Sequence, residues 1–304
     1  MKRFIFTFIL ISITLTLFAQ NRFDVFYVGG NYNFMQATAA NPEKNNESSI
    51  VANLSVPIVF KDSSVWITIV DYQSFSIPNE YFPTDSAPIK NFNLHGFIVR
   101  TGYVHKFNST QSLQVLAMPR YMNDFNASFS KSFQLGGMVM YEKVKSKDFT
   151  YRVGLLYNQE FFGPYLMPVL YLDWKITGKL KFTGLLPVYG KLYVQPTEKF
   201  STGLHFVGLT TSYRIYQPGF ENYYVERNSI DLSLFSNIMV LKNIFLEGRV
   251  GYSLTKDYAL FAENQKVDFT IPLVYFGDNR NRANGKYKSS PFVHLRLVYS
   301  LPIK

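Results

Sequence analysis

The side chains best suited to chemistry are few: His95, His105, His205 and His294, with no cysteine anywhere in the 304 residues. A histidine that activates a serine must have the hydroxyl within hydrogen-bond reach. On one face of a strand that spacing reads His-x-Ser or His-x-Thr. The runs His95-Gly96-Phe97, His105-Lys106-Phe107, His205-Phe206-Val207 and His294-Leu295-Arg296 all lack it. A lipid-hydrolase dyad would have to come from separate strands, and it ranks last among the functional expectations. Dispersed histidines without cysteine give no metal-ligand spacing, so neither metal nor cofactor is expected. Gly29-Gly30 lacks the strand-loop-helix context of a phosphate loop. The run Asp278-Asn279-Arg280-Asn281-Arg282 reads as a solvated external loop.

Ionised residues inside strand-like segments carry more information. Arg100, Arg120, Arg152, Asp173, Lys175, Arg214, Asp231, Glu247, Arg249 and Arg296 each stand on the polar side of a stretch whose other side is apolar. Side chains alternate between the two faces of a strand, so such a stretch presents one polar and one apolar row. From Ser229 to Val240 the apolar row is Ile230, Leu232, Leu234, Ile238 and Val240. From Asn243 to Thr255 it is Ile244, Leu246, Val250, Tyr252 and Leu254, with Glu247, Arg249, Ser253 and Thr255 opposite. Tyr151, Val153, Leu155 and Tyr157 oppose Arg152, Asn158 and Glu160. Val207, Leu209, Tyr213 and Ile215 oppose Thr210, Ser212 and Arg214. Val293, Leu295, Leu297, Tyr299 and Leu301 oppose His294, Arg296 and Ser300.

A soluble sandwich turns its apolar rows inward, and a membrane barrel turns them to lipid. Tilted spanning strands need about nine to eleven residues, longer than the usual soluble strand. Many segments here exceed ten residues and carry charge at mid-length. The reading is therefore a closed antiparallel up-and-down transmembrane β-barrel, all-β, with the ten charges in its lumen. Tight joints at Lys61-Asp62, Asn108-Ser109, Ser146-Lys147, Thr177-Gly178-Lys179, Thr197-Glu198-Lys199 and Leu241-Lys242-Asn243 alternate with longer ones at 36–46, 78–90, 123–130 and 217–222. They predict about 14 strands, or 12 if the segments flanking Pro187-Val188-Tyr189-Gly190 merge. The stretch 263–290 reads as a long external connection. Pro57, Pro119, Pro168 and Pro272 predict strand ends or bulges, since proline gives no ladder donor. Tyr157, Phe161, Phe162 and Tyr165, and likewise Tyr213, Tyr216, Phe220, Tyr223 and Tyr224, read as interfacial girdle aromatics.

Met1-Lys2-Arg3, an apolar run from Phe4 to Phe18 and the small Ala19 form a secretory leader pattern. The run is short of the roughly 20 residues of a spanning helix. The expected organisation is a signal peptide over 1–19 and one barrel domain over 20–304, with no N-terminal plug. The absence of cysteine excludes a lipid-anchored N-terminus, disulfides and thiolate metal sites. Aromatic residues make up 17% of the chain, as much as all charged residues together, which suits a wall needing only alternate positions in lipid. The net charge of +10 is spread singly through apolar stretches, so nucleic acid is not an expected partner.

The runs Lys266-Val267-Asp268-Phe269 and Tyr275-Phe276-Gly277-Asp278-Asn279-Arg280, followed by a final strand from Phe292, resemble a family of uncharacterised Gram-negative outer-membrane barrels, a domain of unknown function. Leu241 to Glu247 is a turn common to many barrels. The resemblance implies fold and location and carries no catalytic residues. The ending Leu301-Pro302-Ile303-Lys304 departs from the terminal aromatic read by the barrel assembly machinery, though Tyr299 lies nearby. The functional expectation is a passive porin-like channel for small polar or anionic solutes, set in outer-membrane lipid. The alternative is a non-conducting structural or partner-binding barrel. Rings of basic side chains favour anions, and seven of the ten expected lumen charges are basic.

Overall fold

Strands make up about three quarters of the computed structural model, which describes residues 22–34, 46–78 and 91–302. The leader assigned to 1–19 and most of the connections at 36–46 and 78–90 lie outside the described residues. The first seven strands are β1 (Arg22–Asn33), β2 (Glu47–Val59), β3 (Val65–Pro78), β4 (Asn91–Asn108), β5 (Gln111–Asn123), β6 (Phe133–Ser146) and β7 (Phe149–Glu160). A four-residue helix, α1 (Phe129–Ser132), precedes β6. Then come β8 (Gly163–Lys175), β9 (Leu180–Leu186), β10 (Tyr189–Thr197), β11 (Phe200–Ile215), β12 (Tyr223–Leu241) and β13 (Ile244–Ala262). The connection after β13 carries two three-residue strands, β14 (Phe269–Ile271) and β15 (Val274–Phe276), before β16 (Ser290–Pro302). Consecutive wall strands pair antiparallel, and β16 pairs with both β13 and β1, so the wall closes as an up-and-down barrel of 14 strands. The segments flanking Pro187 are separate strands joined at Pro187-Val188.

The apolar rows point outward. Leu232, Leu234, Val250, Leu254, Val293, Leu295 and Leu297 are exposed, Val250 by 67%, while Ser233, Phe235, Glu247 and Ser253 beside them are buried. Apolar surface this continuous around a closed wall would be costly in water and is the requirement in lipid. The row of β13 changes sides at one point. Leu254 is an extra residue opposite the step from Ile230 to Asp231, so Thr255 is exposed and Lys256 turns inward. Alternation alone puts Thr255 inside, because a one-residue bulge reverses every side chain beyond it.

Among the prolines, Pro119 is not at a strand end. It sits within β5, and the β4–β5 ladder skips there between Ile98↔Arg120 and Thr101↔Ala117. Pro272 is in the β14–β15 turn, and Pro168 lies where β8 has no β9 neighbour.

One end of the barrel carries only tight turns, including Lys147-Asp148 and Lys242-Asn243. The other end carries the long connections, with two exceptions at Phe161-Phe162 and Pro187-Val188. The short β9–β10 hairpin leaves the wall incomplete at that loop end. β9 pairs with β8 only from Leu170 to Lys175, and β10 reaches only Val207 on β11. The resulting notch frees the far half of β11 from its neighbour, and two buried apolar clusters fill the interior at that end.

Candidate functional site: the barrel interior

Register assigns the facing of each charge. Glu247 on β13 is directly opposite Arg296 on β16, and Arg249 lies two residues along on the same face. Lys191 on β10 shares an inward row with His205 and Ser233 and reaches the same carboxylate across the curve of the wall. Its Nζ lies 2.6 Å from Glu247 Oε2; Arg249 Nε donates to Oε1 at 2.7 Å and Arg296 Nε to Oε1 at 2.9 Å. Three cations thus meet one carboxylate. The local charge is net positive, and Arg296 also lies over the Tyr27 ring at 4.9 Å.

Other inward pairs lie elsewhere around the wall. Arg100 donates to Asp71 at 2.9 Å, and Asp71 also accepts from Asn53 at 2.7 Å. Arg152 donates to Glu142, its direct cross-strand partner, at 2.6 Å and lies over Tyr171 at 4.6 Å. Lys175 lies 3.8 Å from Asp148, and Asp173 shares its row with Thr150 and Thr183. Arg100 and Arg152 keep about a third of their side chains exposed, so the turn-end half of the interior holds water-accessible charge.

The loop-end half is packed. Beyond Val207, β11 leaves the wall and crosses the interior, carrying the ends of β12 and β13 with it. Arg214 bridges in parallel to Asn123 on β5, with five wall strands between the two. Two buried networks hold this crossing sheet. Glu160 on β7 accepts from the Ser212 amide at 2.9 Å and its hydroxyl at 2.7 Å, and it also pairs with Arg120, which donates to Thr211 as well. Gln134 adds a 3.0 Å bond to the Ser212 hydroxyl. On the other side, Glu47 accepts from Tyr258 at 2.6 Å, Asn33 at 3.0 Å and Lys256 at 3.3 Å, and Lys256 is 3.9 Å from Asp231. Arg227 stacks on Phe75 at 4.1 Å, and Gln73 donates to the Tyr213 hydroxyl at 2.8 Å.

This crossing reverses part of the sequence reading. Tyr213 and Ile215 share the face of His205, the inward one, and are fully buried among Phe75, Ile77, Phe92, Leu94 and Met122. Arg214 is on the opposite face. It is not a lumen charge of the simple kind expected, but is enclosed between Glu263, 2.9 Å away, the Lys131 carbonyl and the Phe161 ring. The physical reason is that both faces of a strand that crosses a barrel are buried, so polarity no longer reports facing. The proposed girdle is corrected for the same reason. Phe162, Tyr165, Tyr213 and Tyr224 are buried inside, whereas Tyr157 and Tyr216 remain exposed.

The connection after β13 covers the other face of the crossing sheet. Tyr275 donates to Glu226 at 2.6 Å, Arg280 reaches the same carboxylate at 2.6 Å, and the Tyr224 hydroxyl donates to the Gln265 carbonyl at 2.7 Å. The run at 278–282 is therefore not a freely solvated loop. The Arg280 side chain is 3% exposed, its guanidinium 4.2 Å from the Phe261 ring, and Arg282 grips Asp257 with two bonds of 2.6 and 2.8 Å. Hydrogen bonds from Arg280 hold the Asp278 carboxyl below the usual aspartate range.

Composition alone did not select Glu47, Glu160, Lys191, Arg227 or Lys256 as site residues. Glu160 carried the one available signal, its place on the polar row of Arg152 and Asn158. His95 stacks on Phe125 with centroids 3.9 Å apart and bonds Tyr72 at 3.0 Å. Among the described residues, no group of three or more His, Cys, Asp or Glu is placed to hold a metal ion.

A closed antiparallel wall with an apolar outside and a charged inside defines a transmembrane β-barrel of porin-like architecture. The chain belongs to the family described as Domain of unknown function (DUF6268), whose model matches residues 15–293. No curated protein matches it. Solved structures similar to it include a NanC porin at 10% identity and a TM-score of 0.39, covering 91% of this chain and 100% of that one. A KdgM porin in complex with disordered oligogalacturonate gives 10% identity and 0.32, with 90% and 99% covered. A TodX monoaromatic hydrocarbon channel mutant gives 9% and 0.39, with 93% and 91% covered.

Proposed function

We propose that this barrel is a conduit for small anionic solutes in the outer membrane, shut at rest by its own wall. The observation that carries the reading is the convergence of Lys191, Arg249 and Arg296 on the single Glu247 carboxylate, next to a half of the interior where arginines keep contact with water. A basic constriction favours anions. The packed loop end supplies the closure, and short turns face the periplasm in bacterial barrels, so the charged half opens inward to the cell. Export by a cleaved leader and insertion by the barrel assembly machinery belong to the same reading.

The test is conductance of the refolded full-length protein in planar bilayers. The unaltered protein is expected to be nearly silent. Glu160→Gln, which removes the charge holding Arg120 and Ser212, is expected to raise conductance with an anion-selective reversal potential. Cation preference in that variant would remove the anion reading. Silence of both, with heat-modifiable migration intact, would favour a second reading, a non-conducting barrel whose covered loop end is its working surface. The dense bonding around Glu226 and Arg280 is the observation on that side.

A further inference from the structure

The notch between β8 and β11 is partly filled by β14 and β15. We infer that this hairpin is a wall panel whose partner is the acyl chains of the outer-leaflet lipid. β14 runs parallel to β8, with Thr270 beside Tyr165, and the Val267 amide donates to the Phe162 carbonyl at 2.8 Å. The approach is close enough to require Gly163, where φ is +131° and an added Cβ would lie 2.6 Å from the Val267 carbonyl oxygen. The hairpin therefore hangs from the loop end toward the β9–β10 turn, which rises from the other side and stops where Leu186 meets Leu170.

Its side chains follow the rule of the barrel wall. The pair Thr270↔Tyr275 faces in, with Thr270 buried and Tyr275 bonded to Glu226. The pairs Phe269↔Phe276 and Ile271↔Val274 face the other way, and Leu273 at the tip is 82% exposed. A solvated loop tip has no reason to keep a continuous apolar outer face; a segment in hydrocarbon does. Depth agrees with this. Ile271 lies one step beyond Thr270 toward the turn end, level with Leu166, whose cross-strand partner is the outward Tyr157. The tip therefore passes an interfacial aromatic and enters the apolar band, where its surface is continuous with Leu155 and Leu170.

Behind the panel the inner wall is unusual for a barrel. Met118, Met138, Met140 and Met167 line it and pack on Phe162 and Val267. The Thr270–Tyr165 bridge, the Val267–Phe162 hydrogen bond and the Phe162–Tyr275 ring contact hold the panel on one side, and hydrogen bonds of Tyr275 with Glu226 and Asn228 hold it on the other. The inference rests on the notch and not on conduction, so either can fail alone.

The chain has no native cysteine, so single labels are clean. Leu273→Cys carrying an environment-sensitive fluorophore would be reconstituted into vesicles containing lipids brominated in the acyl chain. The controls are Val250→Cys on the outer wall and Ser130→Cys in the β5–β6 connection. Quenching at 273 comparable to that at 250, with a blue-shifted emission, is the expected result. Quenching only by aqueous iodide, as at 130, would overturn the inference. So would protection from both quenchers, which would mean a protein partner. Phe276→Cys provides the same readout should the tip variant not fold.

Discussion

Two arginine–glutamate pairs in the same interior show how position changes meaning. Near the turn end, Arg152 meets Glu142 with 34% of the arginine side chain exposed. Near the loop end, Arg120 meets Glu160 with 3% and 0% exposed. Both pairs lie on inward rows, the first on the adjacent strands β6 and β7, the second on β7 and β5 with β6 between them. The difference is the sheet that crosses above the second pair, brings Thr211 and Ser212 to it and excludes water. In water-filled space an ion pair is screened and weak. Once enclosed, it cannot lose a partner without leaving an uncompensated charge. The turn-end half therefore keeps charge in contact with water, and the loop-end half uses charge to tie the crossing sheet to the wall.

The largest expected effect tests this tie. Arg120→Ala should destabilise the barrel by about 3–5 kcal/mol, because Glu160 stays buried without its cation. The midpoint of denaturant unfolding, followed by heat-modifiable migration, measures it. A change near zero would mean that water reaches Glu160. Arg152→Ala is the counterpart in the turn-end half and should cost about 0.2–1 kcal/mol by the same assay. A cost as large as that of Arg120→Ala would erase the contrast between the halves. The smallest effect concerns the covering connection. Asp278 has a lowered carboxyl pKa in the folded state, so its contribution is present above the ordinary aspartate value and is lost as pH falls through the lowered one. Protease cleavage within 263–289 should rise modestly below about pH 4, and a rise confined to neutral pH would contradict the assignment.

The turn-end half was legible in the sequence because it obeys one local rule. Along β7, β12, β13 and β16, residues two apart share an environment, so Arg152, Asp231, Glu247, Arg249 and Arg296 declare their facing by their neighbours. The rule breaks at Leu254, where one extra residue sends Thr255 outward and Lys256 inward. It breaks again beyond Val207, where β11 loses its β10 neighbour and both faces are enclosed. Tyr213, Tyr224 and Phe162 carry the same aromatic signature as a girdle, and nothing in their spacing separates a ring in the interface from a ring in the core.

Alternation and turn chemistry thus determined the wall: its antiparallel order, its lipid-facing rows and a count of about 14 strands, which only the separate pairing of the segments flanking Pro187 decided against 12. These are consequences of near neighbours, and near neighbours are written in the chain. The fold alone decided that the end of β11 crosses the interior, that Glu160 meets Ser212 and Glu47 meets Tyr258, and that β14 and β15 fill the notch. Each of these contacts joins residues 52 or more positions apart, or more than 200 in the case of Glu47. They depend on how far the β9–β10 hairpin climbs, a length that no local pattern encodes.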